Sequence, residues 1–348
     1  MIMQQNVSLK PYNTFGIDVL AKYFATFNAV DQVSELLEFK KLSPITHQVP
    51  TLVLGGGSNI LFTKNFDGLI LKNELMGIEL VNEDDDHVYI KAAAGENWHR
   101  FVLYCINNNW AGVENLSLIP GNVGASPMQN IGAYGTEIKD VFYSLEAFHL
   151  DEKKTLQFSL KDCGFGYRDS VFKKKYKGQF IITSVTYRLH KKPVFNTSYG
   201  AIEQELEKMG VKDLSIKALS DAVINIRSSK LPDPSVTGNA GSFFKNPEIE
   251  KPLFEALQSQ YPAITGYPLP NGNIKLAAGW LIEQCGPAEG KSWKGFRQGD
   301  AGCHAMQALV LVNYGAATGS DIYALSERIV QTVKAKFGVE LEREVNIF

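Results

Sequence analysis

Two glycine-rich stretches hold the residues whose types and spacing could do chemistry. The longer runs from Ile119 to Gly135 as Ile-Pro-Gly-Asn-Val-Gly-Ala-Ser-Pro-Met-Gln-Asn-Ile-Gly-Ala-Tyr-Gly. Gly121, Gly124, Gly132 and Gly135 admit backbone conformations closed to residues with a Cβ, and they let main-chain N–H groups approach a pyrophosphate. The shorter, Gly55-Gly56-Gly57-Ser58-Asn59, follows the apolar run Thr51-Leu52-Val53-Leu54. Gly55-x-Gly57 lacks the third glycine of the Gly-x-Gly-x-x-Gly fingerprint, and neither stretch leads into the Gly-Lys-Ser/Thr of a P-loop. Either cluster alone is as compatible with a tight turn between strands. Together, with Tyr134 and a strand-flanked setting, they point to a dinucleotide gripped by irregular loops from two sides.

Composition narrows the ligand. The chain has 348 residues, 45% hydrophobic and 21% charged, with a net charge of -2, enough for two or three domains and a substantial core. That charge leaves no basic stripe for nucleic acid, so any anionic ligand must meet local donors. No apolar run approaches the roughly 20 residues of a membrane span, and the N-terminus Met1–Asn6 lacks the regions of a signal peptide; a cytoplasmic protein is expected. Cys105, Cys163, Cys285 and Cys303 make no Cys-x-x-Cys pair and read as buried, reduced residues. The histidines form no zinc-type constellation, and Asp84-Asp85-Asp86 lacks an EF-hand's glycine and distal glutamate, so no metal is expected.

The elements that must position these loops follow from periodicity. Val30, Val33, Leu36 and Leu37 have helical spacing, and strands are predicted at Thr51–Leu54, Gly68–Leu71 and, beyond the acidic turn Glu83–Asp86, Val88–Ala94. Trp98, Phe101, Val102, Cys105 and Ile106 form a helical stripe stopped by Asn107–Asn109. Strands follow at Val141–Leu150 and Gln179–Leu189, separated by a turn at Asp162–Ser170. Ile202, Leu206 and Met209 mark a helix ended by Gly210, and Asp221–Ser229 reads as helical up to Leu231-Pro232-Asp233-Pro234, where a further domain starts. That domain offers a helix near Leu276–Gln284, a strand Ala308–Val312, a helix from an N-cap at Ser320 to Phe337 with Gly338 behind it, and a strand-like end at Val339–Val345.

Several motifs occur in a fixed order: Asn13-Thr14-Phe15-Gly16, Gly55–Asn59, Ile119–Gly135, Phe165-Gly166-Tyr167-Arg168-Asp169-Ser170 and Asn239-Ala240-Gly241-Ser242-Phe243-Phe244-Lys245-Asn246-Pro247. Lys275–Ile282 and Leu341-Glu342-Arg343-Glu344-Val345 continue the series. Over nearly the whole chain this order closely resembles the UDP-N-acetylenolpyruvoylglucosamine reductase family, FAD enzymes of peptidoglycan precursor synthesis. The resemblance implies an α+β protein: an FAD-binding domain of the PCMH/vanillyl-alcohol-oxidase type in two lobes (1–78 and 79–225), then a C-terminal α+β substrate-binding domain (226–348). It implies non-covalent FAD, NADPH as co-substrate and the enolpyruvyl ether of UDP-N-acetylglucosamine as substrate, with no required protein partner.

By the same resemblance, the FAD phosphates and ribityl chain fall to Gly55, Gly56, Gly57, Ser58 and Asn59. The second loop adds Pro120, Gly121, Asn122, Val123, Gly124, Ala125, Ser126, Gly132, Ala133, Tyr134 and Gly135. Ser242 matches the proton donor; alone, a Gly-Ser hydroxyl would read as a turn or cap. Arg168 matches the arginine facing the substrate carboxylate, where its planar fork suits charge on two oxygens; alone, it would read as a salt bridge to Asp169. Glu344 matches the second polarising residue. Glu340 and Glu342 would share its face of an alternating strand, and only the Glu-x-Glu-Val match selects Glu344. Tyr199, Lys230, Asn246 and Gln307 match the UDP-sugar contacts, Tyr199 standing for the loop tyrosine of the family's longer form. Where relatives commonly carry arginine two positions after the glutamate, this chain has Asn346, which weighs against a secondary anion contact there.

Two other functions compete. A flavin oxidase of the same cofactor fold would often carry a histidine for covalent flavin attachment, and neither glycine loop has one. A non-catalytic flavin- or UDP-sugar-binding protein would not need Arg168, Ser242 and Glu344 together.

Overall fold

The computed structural model describes residues 3–42 and 49–348; Met1 and Ile2 of the N-terminus lie outside them. The chain divides into two compact units, each assembled from separated segments. The first comprises Met1–Val7, Leu20–Gly57 and Phe66–Ser229; the second, Ser8–Val19, Ser58–Asn65 and Lys230–Phe348.

Two sheets build the first unit. In one, the strands run in the order Gln4–Ser8, Leu20–Phe27, Phe66–Asn73, Thr51–Leu54, and the last three are parallel. Leu69, Ile70 and Leu71 are wholly buried in a continuous run, as expected of a parallel strand covered on both faces. Here the predicted Gly68–Leu71 strand extends to Phe66–Asn73. The helix Val30–Leu42 buries Val33, Leu36 and Leu37.

The other sheet is antiparallel, in the order Lys154–Ser159, Phe142–His149, Phe180–His190, His87–Ala93, Ile78–Glu83. Its second strand starts at Phe142 rather than Val141, because Glu137 and Asp140 form a capping box that winds Ile138–Val141 into a helical turn. The helix Trp98–Asn107 buries Trp98, Phe101, Val102, Cys105 and Ile106, with Asn97 as its N-cap. The acidic segment is the turn between Ile78–Glu83 and His87–Ala93, closed by the Asp84 carboxylate accepting from Asp86 N and His87 N.

In the second unit an antiparallel sheet orders Gly238–Ser242, Val310–Asn313, Ala301–Cys303 and Arg297–Gln298. The N-terminal Asn-Thr-Phe-Gly motif docks on it: Asn239 N donates to Thr14 O at 3.0 Å, and Asn313 Nδ2 to Phe15 O at 2.9 Å. Only glycine fits at 238, since a Cβ there would lie 2.2 Å from Phe15 O.

The long helix spans Gly319–Phe337, and its N-cap is Thr318 rather than Ser320. Thr318 and Asp321 form the reciprocal box, whereas Ser320 Oγ donates to Thr63 O. Leu276 ends a strand, Ile274–Leu276, and the following helix is confined to Ala278–Glu283. Val339–Val345 is not a regular strand. Its main chain bonds to separate segments, through Lys245 N to Glu342 O and Glu344 N to Phe243 O, before Asn346–Ile347 pairs with Ile60–Leu61. No helix among the described residues is long and apolar enough to cross a membrane. The four cysteines are buried and free.

Candidate active site

Within the first unit the two glycine clusters pack directly on each other. Gly55 leaves the C-terminal end of the parallel strand Thr51–Leu54, the edge at which open parallel sheets bind ligands. A Cβ on Gly56 would stand 2.7 Å from Asn122 Oδ1 and 2.9 Å from Gly121 Cα. Asn122 is held in turn, its Nδ2 donating to Gly95 O at 2.6 Å. The long loop spends many of its donors internally. Val123 N bonds Glu96 O, Gly124 N bonds Ala94 O, Ala125 N bonds Asn122 O and Ser126 N bonds Val123 O. Those N–H groups are therefore not available to a ligand. Ser126 Oγ pairs with the Tyr187 hydroxyl at 2.7 Å in the core.

Among the described residues, no hydrogen bond engages the main-chain N–H of Gly55, Gly56, Gly121 or Asn122. Four adjacent backbone donors, flanked by glycines that keep side chains out, suit a phosphate dianion. FAD fits this cradle. Ser58 and Asn59 belong to the second unit, and Asn59 turns to its C-terminal segment: Asn59 Nδ2 donates to Glu344 O, and Asn59 O accepts from Asn346 N at 3.1 Å and Asn346 Nδ2 at 2.9 Å. Asn346 thus clamps the chain end.

The end of the long loop is a hairpin. Gly132–Ala133 pairs with Thr136–Glu137, and Tyr134 (φ 49°) and Gly135 (φ 81°) turn between them. Positive φ at both central residues marks a turn that ordinarily selects Asn-Gly. A tyrosine there is strained, and such strain concentrates where a side chain is held for use. Asn115, buried, donates to both Tyr134 O and Asn196 O, and Asn196 Nδ2 donates to Gly135 O. Sequence reasoning passed over Asn115; a lone amide between Val113 and Leu116 was the signal. The clasp places the exposed Tyr199 ring edge-on to Tyr134, centroids 5.3 Å apart.

Arg168 is likewise strained, at φ 51°. Its Nη2 donates to Gly132 O at 2.6 Å, its guanidinium lies 5.4 Å from the Tyr167 ring, and Lys173 Nζ holds its carbonyl. Asp169 pairs with Lys174.

In the second unit, Ser242 and Glu344 are brought together. The pairing of Gly238–Ser242 with Val310–Asn313 slips between Asn239 and Ser242, with Gly241 at φ 69°. Such a bulge re-aims the next side chain. Ser242 is exposed while Phe243 and Phe244 are wholly buried. Phe243 O accepts from Glu344 N at 2.9 Å, so Glu344 is bonded to the residue that follows Ser242.

The three glutamates separate by their surroundings. Glu340 pairs with Lys334 at 2.9 Å and Glu342 with Lys245 at 2.5 Å, both exposed, whereas Glu344 is half-buried. Asn246 Oδ1 accepts from Ala278 N, and Gln307 Oε1 lies where a Cβ on Gly279 would meet it at 2.9 Å, so both meet the start of the Ala278–Glu283 helix. Lys230 ends the helix Ile216–Lys230 and is exposed. Burial holds the His304 pKa below the ordinary histidine value.

Residues 233–348 match the C-terminal domain model of UDP-N-acetylenolpyruvoylglucosamine reductase, and residues 21–153 match an FAD binding domain. The chain is 49% identical to the UDP-N-acetylenolpyruvoylglucosamine reductase of Amoebophilus asiaticus, covering 100% of this chain and 99% of that protein. It is 49% identical to the reductase of Flavobacterium johnsoniae, over 100% of both. The crystal structure of the Thermus caldophilus reductase superposes over 100% of both chains with a TM-score of 0.67 at 23% identity, a likeness of fold. With about half its residues shared over full length, this chain belongs to the UDP-N-acetylenolpyruvoylglucosamine reductase family.

Proposed function

We propose that this chain is an FAD-dependent oxidoreductase of peptidoglycan precursor synthesis. It reduces the enolpyruvyl ether of UDP-N-acetylglucosamine to UDP-N-acetylmuramate at the expense of NADPH. Its full-length identity with reductases of that name carries the reading, and the cradle of unbonded backbone donors supports it. In this reading 1–78 and 79–225 are the cofactor lobes and 226–348 the substrate domain. The protein is cytoplasmic and needs no protein partner or membrane.

The chemistry that FAD supplies when bound is hydride relay from NADPH to the vinyl carbon. The N–H groups of Gly55, Gly56, Gly121 and Asn122 hold its phosphates; hydrogen bonds to a charged acceptor are worth roughly 1.5–3 kcal/mol each. As charge gathers on the substrate carboxylate, Arg168 stabilises it with two parallel donors, and Glu344 polarises it. A carboxylate beside a carboxylate repels unless protonated or balanced by a cation, so the charge of Glu344 must be neutralised when substrate binds. Ser242 delivers the proton to the α-carbon, and its exposed position on the bulge leaves the hydroxyl accessible to substrate. Lys230, Tyr199, Asn246 and Gln307 bind the UDP-sugar.

The test is anaerobic. Purified protein should be yellow, NADPH should bleach it, and the enolpyruvyl ether should restore the colour. Recolouring by oxygen alone, with no response to the ether, would make it an oxidase; no bleaching by any donor would make it a binding protein. Ser242→Ala should bleach normally and recolour slowly, by about 10²–10⁴-fold; a defect confined to bleaching would remove Ser242 from the proton step.

A further inference from the structure

Between the strand end at His190 and the helix Gly200–Lys208 the chain runs without regular structure, and two neighbouring residues pin it. Phe195 is the apolar anchor, packed against the core of the first unit. Asn196 is the polar one, and it bonds in three directions. Its carbonyl oxygen accepts from Asn115 Nδ2 at 2.9 Å, and its own Nδ2 donates to Gly135 O at 3.0 Å. Its Oδ1 accepts from Ser198 Oγ at 2.8 Å and from Ser198 N at 3.3 Å, the local turn that an asparagine side chain makes with the backbone two residues on. An amide side chain can do both because it carries a donor and an acceptor.

The two segments joined in this way differ in how firmly they are held. The hairpin is the fixed side, with Tyr134 O taken by the buried Asn115, and a Cβ on Gly135 would stand 3.0 Å from Asn196 Nδ2. The other side is exposed at Ser198, Tyr199 and Gly200. Tyr199 is the N-cap residue of the helix Gly200–Lys208, yet its side chain makes no capping bond. Its ring stands at 86° to that of Tyr134 instead. On the C-terminal side its position is set by that helix, whose Ile202 and Leu206 lie in the cluster against which Tyr134 packs. On the N-terminal side it is set by Asn196, three residues away. One edge contact between two rings is worth less than the cost of ordering the exposed residues that carry one of them. The tether to Gly135 O offsets the difference.

We propose that Asn196 is a positioning residue for the reaction: by tying its segment to Gly135 O it sets the Tyr199 ring over the hairpin in the pose that receives the UDP-sugar. This rests on the reading of Tyr199 as a substrate contact. It makes that contact an extension of the glycine-loop hairpin rather than an independent loop.

The test titrates oxidised holoenzyme, without NADPH, with the enolpyruvyl ether by isothermal calorimetry. A wild-type Kd in Tyr199→Ala would sink the reading of Tyr199 itself. Given a loss there, Asn196→Ala should raise the Kd by about three- to tenfold, the worth of a neutral hydrogen bond or two. The double variant Asn196→Ala/Tyr199→Ala should bind no more weakly than Tyr199→Ala, because the tether acts through the ring. Losses that multiply in the double variant, or an unchanged Kd in Asn196→Ala, overturn the proposal. Asn196→Asp keeps the turn to Ser198 but sets an acceptor against Gly135 O, so it should show the loss as well, and a wild-type Kd there refutes the tether. Should Asn196→Ala fail to fold, Asn196→Asp takes its place in the cycle with Tyr199→Ala, with the same outcomes deciding.

Discussion

Replacing Gly56 by alanine and, separately, Gly55 by alanine divides packing from ligand access one residue apart. On Gly56 the new Cβ would stand 2.9 Å from Gly121 Cα and 2.7 Å from Asn122 Oδ1, where ordinary contact starts at 3.4 Å. Neither neighbour gives way freely, since Asn122 Nδ2 is tied to Gly95 O at 2.6 Å and Gly121 O accepts from Trp98 N at 3.0 Å. The facing loop must therefore retreat by roughly half an ångström, an overpacking that costs about 1–3 kcal/mol. At about 2–4 °C per kcal/mol for a unit of this size, apoprotein melting should drop by several degrees.

The same retreat spreads the four backbone donors. Losing the worth of one charged hydrogen bond weakens FAD binding by ~10–100-fold. On Gly55 the Cβ meets only Asn122 Cβ at 3.7 Å and Cγ at 3.9 Å, so Gly55→Ala should melt with wild type. If the open side of Gly55 is where phosphate sits, that variant should still lose FAD affinity. Gly200→Ala, with nothing within 4 Å of its Cβ, is the neutral control. Scanning fluorimetry of apoprotein and flavin-quench titration read the two effects. Equal melting of the Gly55 and Gly56 variants would refute the packing argument, and unchanged FAD affinity in both would refute the cradle.

Glu344→Gln should slow recolouring of reduced enzyme by about 10²–10³-fold, while Glu340→Gln and Glu342→Gln, which break only exposed ion pairs, should leave stopped-flow rates near wild type. Thr318→Ala should destabilise the protein by about 1 kcal/mol in urea denaturation, and Ser320→Ala by less, because Thr318 and not Ser320 caps the long helix. The Asp84 carboxyl, held down to about 2 first by Asp86 N and then by His87 N and the Tyr89 hydroxyl, should titrate near that value by NMR. A depressed folded pKa means the unfolded chain binds the proton first, so this group's stabilisation is present above its ordinary value of 3.8 and fades as pH falls toward 2.

What could be read from the residues alone followed from periodicity. The stripe Trp98, Phe101, Val102, Cys105, Ile106 is the buried face of its helix, and the β-branched run before Leu189 is the central strand of the antiparallel sheet. Local rules stopped where competing residues obeyed them equally. Thr318 and Ser320 are both plausible caps, and only Asp321, three residues after Thr318, closes a reciprocal box. The periodicity of Val339–Val345 is that of a strand, yet its carbonyls and amides answer to Phe243, Lys245 and Asn59, positions that no local pattern can pair.

The site raises the same difficulty in sharper form. A glycine loop announces that backbone will meet a ligand, but not which of its amides remain to do so. That depends on Ala94 and Glu96, whose carbonyls take the amides of Gly124 and Val123, whereas among the described residues the amides of Gly121 and Asn122 are left without a bond. Of the three glutamates, Glu340 and Glu342 are paired with Lys334 and Lys245 at the surface, while Glu344 is half-buried. In both places the distinction is drawn by neighbours that the local pattern does not name. That is a property of contacts between residues apart in sequence.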